Sequence, residues 1–242
     1  MREPQILATS GGMAMTERGS FQWRLGGLLR YALELSGASR PKLCFVCTAV
    51  GDNDLGIRAC YGATIGENVQ PSHLALFPMP NVADMRAHVL AQDVIWVGGG
   101  SVANLLAVWR LHGLDEILRE AWEAGVVLAG SSAGSICWHV GGTTDSFGPE
   151  LQVITTGLAL LPYGNGVHYD SDSERRPLLQ RLVASGELPR SYATDDGAGL
   201  HYVGTELREA VAELPGRTGY RIEPDGSGGV TEVALPTRLL DY

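Results

Sequence analysis

The five residues Gly130-Ser131-Ser132-Ala133-Gly134 match G-x-S-x-G, a string that sets its middle serine on a tight turn between a strand and a helix. On such a turn the Ser132 hydroxyl stands above a sheet, and the N–H of Ala133 points to where an oxyanion would develop. Gly130 and Gly134 flank the turn, where a Cβ would collide with the neighbouring strand or helix. The chemistry on offer is nucleophilic attack on a carbonyl. Alone the pentapeptide is a weak signal, because 32 of the 242 residues are Gly. Its context strengthens it. Val126-Val127-Leu128-Ala129 reads as a short buried strand before the turn, and a helix over 133–139 is expected after it. Ser131 and Ser135 are close neighbours, but Ser132 alone holds the middle position.

A serine hydroxyl is a poor nucleophile until a base takes its proton, so one of the six histidines must come close in space. His73, His88 and His112 read as surface or boundary residues. His139 follows Ser132 on the same expected helix, about 10 Å away by helical rise, which is too far for direct contact. His168 stands in Asn165-Gly166-Val167-His168-Tyr169-Asp170, where an apolar stretch gives way to a polar loop. His201 alternates within Gly199-Leu200-His201-Tyr202-Val203 and could face solvent. A third group must orient the base, and Thr194-Asp195-Asp196-Gly197 offers two carboxylates in a turn. Asp145, Asp170 and Asp172 are rivals that spacing does not exclude. Each acid taken singly reads first as a turn or cap residue.

The elements that must carry these groups alternate along the chain. Short apolar runs at 5–9, 43–50 and 74–77 are each followed by an amphipathic stretch, at 22–35, 54–62 and 82–90. Val94-Ile95-Trp96-Val97 runs into Gly98-Gly99-Gly100, and Leu105, Leu106, Trp109, Leu111 and Leu114 then recur near helical spacing. That alternation predicts an α/β fold in three layers, a mostly parallel sheet with helices on both faces. Beyond residue 140 the pattern loosens, leaving a helix over 175–185 and short strands near Tyr192, 200–203 and 230–233. No linker or repeat divides the chain, so one domain over 1–242 is expected.

Composition narrows the partners. With 18 basic and 27 acidic residues the net charge is -9, and no Lys/Arg stripe is present, which argues against nucleic acid and anionic membranes. No run of about 18 apolar residues appears, nor an apolar run of signal-peptide length within 1–20, so a cytoplasmic protein is expected. Four cysteines are too few for a disulfide framework. Cys44-Phe45-Val46-Cys47 lies in an expected strand that turns its thiols to opposite faces. With no second Cys/His pair at ligand spacing, the four read as buried cysteines and not as a zinc or redox site.

Taken together, these residues resemble peptidase family S51, the group of peptidase E (aspartyl dipeptidase) and cyanophycinase, whose fold is similar to the class I glutamine amidotransferases. The resemblance runs from the first strand to about residue 223. It is strongest over 94–135, where V-G-G-G, an N-L-L helix start and the G-x-S-A-G elbow follow in family order. It implies Ser132, His168 and Asp196 as the catalytic residues, in the order Ser, His, acid, where an α/β-hydrolase would run Ser, acid, His. It implies an oxyanion hole from the N–H of Ala133 with that of Gly99 or Gly100, and Arg175 as a clamp for an acidic first residue of the substrate. The expected partner is a small peptide, with no metal or organic cofactor, on a monomer or homodimer. Two positions depart from the family pattern: Ser101 replaces Asn or Asp-Gln, and Asp196 replaces Glu. The alternatives are an α/β-hydrolase-type esterase pairing Ser132 with His201 and Asp170 or Asp172, and a non-catalytic small-molecule-binding protein on the same scaffold. Glutamine amidotransfer would need a Cys at the elbow.

Overall fold

In the computed structural model, residues 3–16 and 22–242 are described, so part of the stretch 1–20 lies outside the described residues. The chain opens with β1 (Gln5–Thr9), a small hairpin of β2 (Met13–Met15) and β3 (Trp23–Leu25), helix α1 (Gly27–Leu35) and β4 (Lys42–Val46). Three units follow: α2 (Asp54–Ala63) with β5 (Gln70–Leu74), α3 (Met85–Leu90) with β6 (Val94–Val97), and the pair α4 (Val102–His112) and α5 (Leu114–Glu123) with β7 (Val127–Ser131). Then come α6 (Ala133–Ile136), β8 (His139–Thr144), β9 (Gln152–Ile154), β10 (Leu161–Gly166), α7 (Arg175–Ala184) and β11 (Ser191–Thr194). The chain ends in β12 (Ala198–Val203), β13 (Glu206–Ala212), β14 (Gly219–Pro224), β15 (Val230–Ala234) and β16 (Thr237–Leu239).

β6 is buried at every position, the mark of a central strand covered on both faces. It lies inside an eight-stranded sheet of order β16-β13-β12-β1-β7-β6-β4-β5. The ladders joining β1, β7, β6, β4 and β5 are parallel, while β12 pairs antiparallel with β1. Alternation along each strand sorts side chains between two cores. Ile6, Ala8, Ile95 and Val97 pack with Leu105, Trp109, Leu118 and Ile136 from α4, α5 and α6. Leu7, Phe45, Trp96 and Ala129 pack on the other face with Leu28, Leu29 and Ala63 from α1 and α2. Each such Leu, fully buried, contributes roughly 1.5–3 kcal/mol. The helices on both faces are therefore as the alternation implies, and the fold is α/β with mostly parallel strands.

The expectation of one sheet does not hold. A second, six-stranded sheet of order β15-β14-β11-β10-β8-β9 lies C-terminal in sequence, with α7 packed on it through Leu179 and Val183 against Ala193 and Ile222. Its strands β11 and β15 fall where short strands near Tyr192 and over 230–233 are expected, but β8, with Gly141 and Gly142, and β10, with Gly164 and Gly166, are built from residues of weak strand propensity and give no such signal.

Other boundaries shift for local reasons. The helix expected from residue 22 starts at Gly27, because Trp23–Leu25 pairs with the Met13–Met15 strand. The strand expected over 43–50 stops at Val46 and gives way to a 3-10 turn at Thr48–Val50. β5 covers Gln70–Leu74, a half-polar edge strand, in place of 74–77. The helix expected over 82–90 begins at Met85, where the Asp84 carboxylate caps it by accepting the Ala87 N–H at 2.9 Å. The helical spacing that ran through Leu111 and Leu114 is two helices, broken at Gly113 in the left-handed region, and Leu111 is exposed. All four cysteines are buried thiols. Cys44 and Cys47 do fall in opposite cores, but Cys47 lies just past the strand, 3.9 Å from Cys60 Sγ. Among the described residues no helix is long and apolar enough to cross a membrane.

Candidate active site

Ser132 follows the end of β7 with φ 57 and ψ -113, a left-handed backbone that a side-chain-bearing residue adopts only under constraint, at about 1–3 kcal/mol. Three contacts hold it. Its N–H donates to Thr9 O at 3.0 Å, and the residues after it coil at once into α6, with Ser135 and Ile136 donating back to Ser132 O. Ser135 Oγ donates to Asn165 Oδ1 at 2.9 Å, pinning α6 on β10. Only glycine fits at 134, where a Cβ would meet Val97 O at 2.2 Å.

The helix expected over 133–139 is the single turn Ala133–Ile136, and the chain passes into β8 at His139. His139 is fully buried and donates its Nδ1–H to Ser135 O at 2.9 Å. Burial pushes it down to about 4, so it is a neutral core residue.

His168 stands two residues beyond β10, at φ 55. Its Nε2 is 3.0 Å from Ser132 Oγ, and its Nδ1 is hydrogen-bonded to Asp196 Oδ1 in the turn between β11 and β12. With a carboxylate at Nδ1 that nitrogen carries the proton, leaving Nε2 to accept from the Ser132 hydroxyl. Among the described residues Asp196 is the one carboxylate bonded to His168. The rival acids have other partners. Asp170 Oδ1 accepts the Asp196 N–H at 2.8 Å, while its Oδ2 pairs with Arg217. Asp195 is buried and accepts from Thr218 N–H at 3.1 Å and Tyr220 OH at 3.3 Å; burial pushes its carboxyl above the usual range. Asp145 and Asp172 flank Arg175.

The glycine loop after β6 is tied at both ends, by Gly98 N–H to Val46 O at 3.0 Å and Ser101 N–H to Ala49 O at 2.9 Å. Between these anchors, Gly99 runs beside Ser132, so close that a Cβ would sit 3.2 Å from Ser132 Cβ. Among the described residues the N–H groups of Gly99, Gly100 and Ala133 donate to no protein acceptor. Ser101 caps α4 by accepting the Asn104 N–H at 3.2 Å.

One expectation is corrected. His201 does not face solvent: it is 5% exposed, packed opposite Leu7 on the β1–β12 ladder, and contacts Tyr31 OH and Gln5 Oε1 at 3.2 and 2.9 Å. Burial pushes it down to about 4, and it makes no bond to Ser132. Arg175, which the resemblance implies as a clamp, opens α7 with its side chain enclosed. Its side chain is 8% exposed, with Asp172 at 3.4 Å and Asp145 at 3.7 Å. Sequence reasoning missed Ser10 and Arg217 as supports of the site and weighed Asp170 only as a rival acid; for Ser10 the available signal was a Ser-Gly-Gly run at the exit of β1. Among the described residues no three His, Cys, Asp or Glu side chains converge as metal ligands would.

Comparison with known proteins follows the same lines. The profile of peptidase family S51 matches residues 6–210. The uncharacterized peptidase YgaJ of Bacillus subtilis (strain 168) is 40% identical over 236 residues, spanning 98% of this chain and 99% of that protein. A peptidase from an acI-B1 Actinobacterium superposes with a TM-score of 0.64 at 14% identity, covering 96% of this chain and 97% of its own. A Listeria monocytogenes EGD-e protein provisionally described as a peptidase E superposes with a TM-score of 0.59 at 18% identity, covering 85% of this chain and 96% of its own. At such identities the two structures speak for the fold alone, the α/β arrangement described above. The matched stretch contains the elbow, the His168 loop and the Asp196 turn, and by that profile and its full-length relative the chain belongs to peptidase family S51.

Proposed function

We propose that this peptidase is of the serine type and cleaves short peptides, with Ser132 as nucleophile, His168 as the proton carrier and Asp196 as the group that orients it. The observation that carries the reading is the continuous hydrogen-bonded line from Asp196 through His168 to Ser132 on a strained elbow. Ser132 Oγ attacks the scissile carbonyl as its proton passes to His168 Nε2. Asp196 keeps Nδ1 protonated and supports the imidazolium that forms. The carbonyl oxygen, now anionic, is received by the N–H of Ala133 and that of Gly99 or Gly100, and loss of one such donor costs about 100- to 1000-fold in rate. His168 then gives its proton to the leaving amine. Water, deprotonated in turn by His168, releases the peptide acid from Ser132.

For the substrate, Arg175 remains the candidate partner for a carboxylate on the first residue. It is already flanked by Asp145 and Asp172, however, so those three charges sum to -1 and the preference for an acidic first residue is expected to be weak. The test is hydrolysis of Asp-Leu, Glu-Leu, Leu-Leu and Gly-Leu by the wild type and by Ser132→Ala. Wild-type cleavage with kcat reduced on the order of a million-fold in the variant is expected. Equal rates in the two proteins would overturn the serine mechanism, and no cleavage of dipeptides or longer peptides would favour a binding protein.

A further inference from the structure

The nucleophile and its base leave from different sheets: Ser132 from β7 of the eight-stranded sheet, His168 from β10 of the six-stranded one. Something must hold the two exits in register, because a misplacement of about 1 Å costs on the order of 100-fold in rate. The residues Thr9 and Ser10, at the end of β1, touch all three catalytic segments. Thr9 O accepts the Ser132 N–H at 3.0 Å, and Thr9 Oγ1 donates to Gly130 O at 3.0 Å. Ser10 O accepts the N–H of Gly197, next to Asp196, at 2.8 Å, and Ser10 N–H donates to Ala198 O at 2.9 Å. The Ser10 hydroxyl accepts the His168 backbone N–H at 3.1 Å and shares a hydrogen bond with Thr194 Oγ1 at 2.7 Å.

Of these ties, the one from Ser10 Oγ to His168 is the side-chain bond that bears directly on the base. His168 needs it because a left-handed residue relaxes unless its surroundings hold it, and Ser10 is 4% exposed, so bulk water cannot replace the lost acceptor. We propose that Ser10 is a positioning residue for the hydrolysis, its buried hydroxyl clamping the His168 backbone to β1 and to Thr194 so that the imidazole meets Ser132 and Asp196 at once. This role rests on the serine-peptidase reading above.

The test uses the second-order rate of labelling by a fluorophosphonate, which reports Ser132 activation without a known substrate, measured across pH for the wild type, Ser10→Ala, Ser10→Thr, Ser132→Ala and His168→Ala. Ser10→Ala is expected to stay folded and to label about 100-fold more slowly. The acid limb of its pH profile moves as the contact between His168 Nδ1 and Asp196 loosens, a change that a purely structural role would not produce. Ser10→Thr keeps the hydroxyl and recovers most of the rate. On a cleaved peptide the loss falls on kcat and not on KM. Labelling of Ser10→Ala at the wild-type rate with an unshifted limb, while Ser132→Ala and His168→Ala stay unlabelled, overturns the positioning role and leaves the serine mechanism standing. A wild type that does not label brings down both. Should Ser10→Ala fail to fold, Ser10→Cys, similar in shape but a weak acceptor, carries the same expectations.

Discussion

Ser132 combines the hydroxyl that the chemistry needs with a backbone that the fold must force on it, at φ 57. Ser132→Gly is therefore expected to be inactive yet more stable than Ser132→Ala by about 1 kcal/mol, since glycine adopts a positive φ without a Cβ penalty. Urea unfolding of the two variants checks this, and equal stabilities would mean that the turn stores no strain. The acids around the site divide by what they bond. Asp196→Asn should lower kcat on the order of 10,000-fold through loss of the correct imidazole tautomer, whereas Asp145→Asn should leave the cleavage of Leu-Leu near wild type. The same Asp145→Asn removes one of the two charges facing Arg175, so the ratio of kcat/KM for Asp-Leu over Leu-Leu should rise. An unchanged ratio would separate Arg175 from substrate selection.

The hydrogen-bonded line from Asp196 through His168 to Ser132 depends on how short elements begin and end. α6 is a single turn, so the orientation of Ala133 is set by Gly134 pressed against Val97 O and by Ser135 bonded to Asn165, and not by a long helix. On the other side of Ser132, the glycine loop takes its exit direction from the cap of α4. Ser101→Ala should cost about 1 kcal/mol of stability through the lost cap, and should slow turnover as Gly99 and Gly100 loosen. Ser101→Asn should restore both, because Asn caps as well as Ser. Thermal melts with parallel rate measurements decide this; an uncoupled pair, stability lost with kcat intact, would remove the link between the cap and the loop.

At the scale of the whole molecule, two histidines are folded away neutral. His139 and His201 are both pushed down to about 4 by burial, against about 6.5 when unfolded. The unfolded chain binds more protons between those values, so their contribution to stability is full above pH 6.5 and is lost as pH falls towards 4, by up to about 3 kcal/mol for each. Asp195, raised by burial, works in the opposite direction. Unfolding free energies measured at pH 7.5, 5.5 and 4.5 should fall steadily, and a flat profile would mean that neither histidine is held neutral. Much of the molecule was legible in the chain itself: β1, β6 and β7, the helices on both faces, and the Gly130 to Gly134 elbow. These follow from burial periodicity and backbone sterics among near neighbours in sequence. The glycine-rich strands β8 and β10 gave no such local signal, and the second sheet stayed hidden with them. Spacing alone left His168 level with His201, and Asp196 level with Asp145, Asp170, Asp172 and Asp195, until the family resemblance singled out one of each. Only the tertiary structure shows which groups meet, since the bonds joining Ser132, His168 and Asp196 cross 36 and 28 residues of chain and depend on strand order in two sheets. It alone shows His201 sealed in a core, Arg175 enclosed by two carboxylates and Ser10 beneath His168, because burial and partners are properties of the packed chain.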